Sequence, residues 1–418
     1  MNDPELMRNL TDGFIHALRD PVWKDIPIDD GMKGIIMTGQ MQKLDRIRQN
    51  GPTCHVYPGA VHTRFSHSLG VYRIGRELLI SLLGRMDCPF TVKGERSFLA
   101  ACLLHDIGHF PYAHSLKELS IKEHEEIAAD AILSDRELYD AICRAGADPE
   151  MTASIIDKKR PSERETEIYR NFLSGALDPD KLDYLNRDAF FAGVPYGIQD
   201  NDHILSTVVL YEDRLALPFS SYQSLENILF SKYLMYKNVY WHKGTRGATA
   251  MIKKALLSAI REGFLGKGEL VMLDDFQFQA LENRQYEPFR LIRDVANNRL
   301  FKAAFTKSWE ADGRLEMEAG DIERRFISED RIWKCLVSEY PSLKRFEVII
   351  DIPEPISFES DVRIIMEDGS ARSFGEVTNI FTKDVGTQFA KALRTVSVFT
   401  PEYVSKESVE RVIGECFG

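Results

Sequence analysis

A histidine and an aspartate stand side by side in the apolar, helical string Leu104-His105-Asp106-Ile107-Gly108-His109, and this pair limits the possible folds more than any other feature. An ionised carboxylate inside a buried helix is costly unless it is paired, hydrogen-bonded or bound to a metal. The fold must therefore bring further polar groups to the same place. Histidines are the natural candidates, because seven of the ten lie between residues 55 and 124.

The surrounding pattern is mostly helical. After Pro58-Gly59, a helix beginning near His62 carries His67, Val71, Ile74, Leu78 and Leu82 at spacings of three and four, which turns His67 toward the core. A second helix, from about Glu95, places Phe98, Cys102 and His105 on a shared face and ends at Gly108 and Pro111. A third opens at Asp178-Pro179-Asp180, with Asp178 as N-cap and Pro179 at the first helical position. Asp180, Tyr184, Arg187 and Asp188 are expected on one of its faces. A β-hairpin is expected over 207–217, around Glu212-Asp213-Arg214, and then a long helix from about Ser224 to Trp241. Segments 346–350, 362–365 and 395–399 read as strands, with a turn at Asp368-Gly369 and a last helix from about Glu402. The predicted fold is mainly α: a helical core with a small β-hairpin at 1–265, a helical extension at 266–345, and a smaller α+β domain at 346–418.

A chain of 418 residues with 44% apolar and 28% charged residues is an ordinary globular protein. The net charge of -11 argues against a main role in wrapping nucleic acid, and an anionic substrate must meet local Arg and Lys. Six cysteines without a CxxC motif suggest neither a disulfide framework nor a thiolate zinc site. No basic, then apolar, leader opens the chain, and no run reaches the roughly 18 apolar residues of a membrane span. A cytoplasmic location without membrane contact is expected.

His67, His105, Asp106 and Asp180 could together supply four ligands from three helices. A mixed imidazole and carboxylate set suits Mn, Fe, Ni, Co or Zn better than Mg or Ca. Two remaining positions would serve a water and a phosphate oxygen, as a hydrolase requires.

The ordered set H…HD…D resembles the HD-domain metal-dependent phosphohydrolases. The likeness extends through 58–71 (Pro58-Gly59-Ala60-Val61-His62-Thr63-Arg64-Phe65-Ser66-His67 onward), 104–114, His124-Glu125 and 178–188. These stretches are similar to the deoxynucleoside triphosphate triphosphohydrolase branch, which includes the vertebrate sterile-alpha-motif and HD-domain enzyme and bacterial dGTPase-like proteins. The resemblance implies that His67, His105, Asp106 and Asp180 hold the metal, with Mg accompanying the nucleotide. It implies that Arg64 faces a substrate phosphate through parallel charge-assisted bonds, that Lys181 and Tyr184 contact the triphosphate, and that His124 is the general acid with His109 and His114 lining the phosphates. Tyr240 would pack against the sugar and exclude a 2′-hydroxyl, while Asp188 and Gln49 would read the 3′-hydroxyl.

Three positions depart from the family pattern. Lys117 stands where the family has an acidic residue, so Glu118 or Glu125 is expected to orient the catalytic histidine. Trp241 replaces a glutamine beside Tyr240, and Lys232 replaces an arginine near the phosphates. The implied reaction is hydrolysis of a deoxynucleoside triphosphate to deoxynucleoside and tripolyphosphate by a homo-oligomer, dimer or tetramer. Hydrolysis of another nucleotide phosphoester, or a regulatory nucleotide-binding scaffold with little turnover, are the alternatives.

Overall fold

The computed structural model describes residues 3–119, 121–358 and 361–417. An antiparallel hairpin of β1 (His16–Asp20) and β2 (Lys24–Ile28) precedes the helical core. That core is built from α1 (Arg64–Leu83), α2 (Val92–Leu104), α3 (His124–Ser134), α4 (Pro149–Ile156) and α5 (Pro179–Ala192). Thr63 caps α1 by accepting the N–H of Ser66, and Thr91 does the same for Gly94 at the start of α2. At α5 the expected start is observed: Asp178 accepts the N–H of Lys181 and Pro179 occupies the first turn.

The expected hairpin forms as β3 (Val209–Tyr211) and β4 (Arg214–Pro218). Its turn residues, Glu212 and Asp213, have φ of 47° and 61°, the left-handed geometry whose twist suits a two-residue hairpin. The expected long helix is shorter than predicted. It runs as α6 (Tyr222–Met235) and then widens into a π turn, Tyr236–Tyr240, before α7 (Lys243–Arg261). Residues 302–308, in the stretch expected to be helical, form β5 (Lys302–Ser308), because they pair with a strand far along the chain.

After α8 (Ile322–Leu336) come β6 (Ile349–Asp351), β7 (Arg363–Ile365), β8 (Ala371–Ser373), β9 (Thr395–Thr400) and α9 (Lys406–Phe417). The strand expected from residue 346 starts at Ile349, since Arg345–Glu347 is a 3₁₀ turn. Two sheets join distant parts of the C-terminal half. β4 pairs in parallel with β7, giving the order β3-β4-β7-β8, and β9 lies between β5 and β6. Val362, Ile364 and Phe374 are thereby buried in the same apolar core as Leu217 and the residues of α1 and α2. Among the described residues no helix is long and apolar enough to cross a membrane.

One buried group in this core has no polar compensation. Glu95 on α2 is 0% exposed, and neither carboxylate oxygen has a hydrogen-bond partner. Burial pushes its pKa up to about 8, with Arg96 opposing and Asp29 and Glu5 adding to the rise. The folded state therefore holds this proton more tightly than the unfolded chain. Its contribution to stability is complete below about pH 4.5 and is lost as pH rises through about 8. Glu95→Gln should remove that loss and exceed the parent protein in stability at pH 9 by on the order of 2 kcal/mol. Urea unfolding at pH 5 and pH 9 checks this, and equal pH dependence in the two proteins contradicts it.

Candidate functional site

Three helices converge on one point. His67 lies in the first turn of α1, His105 and Asp106 follow the last residue of α2, and Asp180 lies in the first turn of α5. His67 Nε2 is 3.0 Å from Asp180 Oδ1 and 3.9 Å from Asp106 Oδ2. His105 Nε2 is 3.5 Å from Asp106 Oδ1 and 3.9 Å from Asp180 Oδ1. Ligands held at right angles about 2.1 Å from one ion stand about 3.0 Å apart, so this spacing is close to that of a loaded site. His67, His105 and Asp106 are all buried, and their ligand atoms lie within 4.8 Å of one another.

The outer nitrogens of the two rings decide what the inner ones can do. His67 Nδ1 is 2.7 Å from Asp183 Oδ2, and His105 Nδ1 is 3.0 Å from the carbonyl of Cys102. A carbonyl or carboxylate only accepts, so each Nδ1 carries the proton and a neutral ring turns its Nε2 lone pair to the cluster. Both Nε2 atoms are buried and make no hydrogen bond. Two orphaned lone pairs aimed at two carboxylates fit a divalent cation, and this donor set can hold one. Without the cation a proton takes its place. Burial alone would lower the pKa of His67, but the carboxylates of Asp180 and Asp183 on either side of the ring outweigh it and push the value up to about 10.

Asp183 is the residue that sequence reasoning missed. It is fully buried and accepts from His67, from both Arg187 Nε at 2.8 Å and Nη2 at 3.0 Å, and from the indole of Trp23. Arg187, itself 0% exposed, reaches Asp20 at 2.7 Å on the N-terminal hairpin. This corrects the expectation that Arg187 shares the face of Asp180 and Asp188, since its guanidinium turns instead to Asp183 and Asp20. Burial would raise the Asp183 carboxyl, but Arg187 and His67 hold it well below the usual range. The available signal was the i, i+4 spacing of Asp183 and Arg187. Gly70 makes the arrangement possible, because a Cβ there would lie 1.8 Å from Asp183 Oδ1.

Beside the cluster, His109 and His124 stack at 4.0 Å and 20°. His109 Nε2 is 3.2 Å from Asp106 Oδ1. Burial drives the pKa of both rings down, in His109 with the nearby Arg64 and His124 adding to it, so both are neutral. Gly108 allows the first residue of α3 to come this near, since a Cβ would meet the His124 carbonyl at 2.0 Å. Glu125 Oε2 is 3.1 Å from His124 Nδ1, whereas Glu118 is turned away to Arg325 at 2.8 Å and Lys253 at 2.5 Å. Of the two candidates for orienting a catalytic histidine, Glu125 is the one in contact. His114 falls on the 3₁₀ turn Ala113–Leu119, and its side chain lies outside those described.

The residues expected to bind substrate divide into two groups. Arg64 is buried with Nη1 2.7 Å from Asp106 Oδ2, and it holds that carboxyl well below the range that burial would dictate. Tyr240 donates its hydroxyl to Asp188 Oδ2 at 2.5 Å, while His62 Nε2 is 2.7 Å from Asp188 Oδ1. Gln49 is half-buried, with its side-chain oxygen making no hydrogen bond. Tyr184 packs at the edge of the main core. The two lysines are engaged by protein groups: Lys181 Nζ by Asp178 at 2.8 Å and the Gly175 carbonyl at 3.0 Å, and Lys232 Nζ by the Ser357 carbonyl at 2.9 Å.

The HD domain profile matches residues 64–187, and the HD associated region profile matches residues 199–418. The uncharacterized protein YwfO of Bacillus subtilis is 33% identical over 314 residues, 68% of this chain and 71% of that protein. The deoxynucleoside triphosphate triphosphohydrolase SAMHD1 homolog of Dictyostelium discoideum is 25% identical over 313 residues, 68% of this chain and 59% of its own. A phosphohydrolase from Bacteroides thetaiotaomicron has the same fold, with a TM-score of 0.73 at 23% identity over 93% of this chain and 100% of that one.

Asp183→Asn should leave the four ligands in place but loosen the orientation of His67, and so weaken metal binding by about 10- to 100-fold. Metal titration by calorimetry against the parent protein measures this. Unchanged affinity would show that the Asp183 contact does not orient the ligand.

Proposed function

The chain belongs to the HD-domain phosphohydrolase family, and we propose that within it the protein hydrolyses deoxynucleoside triphosphates to deoxynucleoside and tripolyphosphate. The observation that carries the reading is the cluster of two Nε2 lone pairs and two carboxylates set against a pair of neutral imidazoles. The deoxyribose part draws support from the Tyr240–Asp188 contact and from relatives whose names give that activity, in Dictyostelium discoideum and in Bos taurus, the latter 27% identical over 289 residues.

His67, His105, Asp106 and Asp180 would hold the divalent metal. When bound, such an ion neutralises phosphate charge and lowers the pKa of a water. The protein's own groups do the rest. Arg64, with its Nε making no hydrogen bond, still has donors to offer a phosphate oxygen while one arm holds Asp106. A water oxygen attacks the α-phosphorus, the bond from phosphorus to O5′ breaks, and O5′ must take a proton. His124 stands beside His109 to supply that proton. Its ring is neutral in the free protein, and the negative charge of a bound triphosphate favours the imidazolium that a general acid needs.

Incubation of metal-loaded protein with each of four dNTPs and four NTPs should yield tripolyphosphate and deoxynucleoside from the dNTPs. Orthophosphate release, or turnover of nucleoside monophosphates in preference, would overturn the substrate assignment and leave the HD chemistry standing. Asp106→Ala should lose bound metal and at least about 1,000-fold in kcat, because a ligand and the partner of Arg64 disappear together. Undiminished hydrolysis by that variant would sink the metal-dependent mechanism.

A further inference from the structure

The geometry points to His62 as a positioning residue that sets discrimination between deoxyribose and ribose, an inference that rests on the deoxynucleotide reading above. His62 lies just before α1, and both ends of the residue are engaged. Its carbonyl accepts the N–H of Gln49 at 3.0 Å, and its Nε2–H donates to Asp188 Oδ1 at 2.7 Å. The other oxygen of Asp188 accepts the hydroxyl of Tyr240 at 2.5 Å. One histidine thus joins the three residues expected at the sugar, which come from the segment before α1, from α5 and from the π turn after α6.

The link is rigid for stated reasons. The His62 and Asp188 side chains are 1% and 3% exposed, so water does not compete for their hydrogen bond. Phe191, three residues after Asp188, stacks on the imidazole at 4.6 Å and 23°, which fixes the ring plane. Because Asp188 accepts one hydrogen bond at each oxygen, a lone pair remains on each for a ligand hydroxyl. Tyr240 is held by the same carboxylate. A ring pinned in place can exclude a hydroxyl, whereas a ring free to swing aside admits it. Without His62, Asp188 can rotate, and both the reading of the 3′-hydroxyl and the exclusion of the 2′-hydroxyl by Tyr240 loosen together. The Nδ1 of His62 is buried with no partner, so the ring is kept there by this one hydrogen bond and the stacking rather than by a wider network.

The test compares the parent protein with His62→Ala and His62→Gln, loaded with metal, on matched dNTP and NTP pairs. His62→Ala should raise KM for dNTPs about tenfold, more than it lowers kcat, and should reduce the deoxy-over-ribo ratio of kcat/KM by a similar factor. Metal content should not change. His62→Gln, whose amide can donate to Asp188, should recover part of the ratio. A parental ratio in His62→Ala overturns the inference, and so does parallel loss of kcat, metal and thermal stability in both variants, the mark of a purely structural role. A parent protein that hydrolyses no dNTP overturns the deoxynucleotide reading itself, a result distinguishable because it needs no variant.

Discussion

The buried ion pair of Arg187 with Asp183 is the interaction on which the rest of the site depends. Neither group has access to water, and each would be costly in the interior alone. Together with Asp20 they form a chain of charges from the N-terminal hairpin, through α5, to the imidazole of His67 on α1. This chain does two things at once. It satisfies polar groups in the densest part of the core, and it delivers a proton acceptor to the outer face of His67, so that the inner nitrogen is left for a ligand. The same chain thus contributes both to the packing of α1 on α5 and to the orientation of His67 in the metal cluster.

The parts of this arrangement that were legible in the sequence are the local ones. His105 and Asp106 are adjacent, His67 follows from helical spacing, and Asp178-Pro179 announces the helix that carries Asp180. Partners brought together by tertiary structure left only faint marks. Asp183 reads as an ordinary helix carboxylate until α1 is packed against it, with Gly70 as the gap that admits it. His62 sits in a recognisable motif, yet nothing local says that its partner lies on α5. The lysines show the reverse: Lys181 and Lys232 are expected at the substrate phosphates, and folding gives them carbonyl and carboxylate partners.

The sheets show the same limit at larger scale. Short strands near residues 350, 364 and 397 were visible as apolar runs, but not their pairing. β7 lies parallel to β4, a connection that requires a long excursion and leaves no turn signature between the two strands. β5 alternates only weakly in burial, and its partner β9 follows after four further helices and three strands. The sheets join distant parts of the associated region to one another, and Val362, Ile364 and Phe374 fasten that region to the helical core by apolar packing. It is fastened a second time by Arg325 of α8 and Lys253 of α7, which hold Glu118 on the turn after His109. A change in either contact would reach the segment between the stacked histidines.

Charge completes the case for a divalent ion. Asp20, Asp106, Asp180 and Asp183 form one connected group with Arg64 and Arg187, and four carboxylates against two guanidiniums leave two negative charges. Protonation of His67 offsets one of them, in keeping with its raised pKa, and leaves the cluster still negative. A dication that displaces this proton brings the group to neutrality. For the proposed polyphosphate substrate, positive charge would come from the unbonded Nε of Arg64 and from imidazolium formation at His124, which lie next to Asp106 and His109 rather than inside the ligand set. Two neutral histidines beside such a cluster would gain positive charge as an anion enters, which reconciles the proposed polyphosphate substrate with a chain of net charge -11.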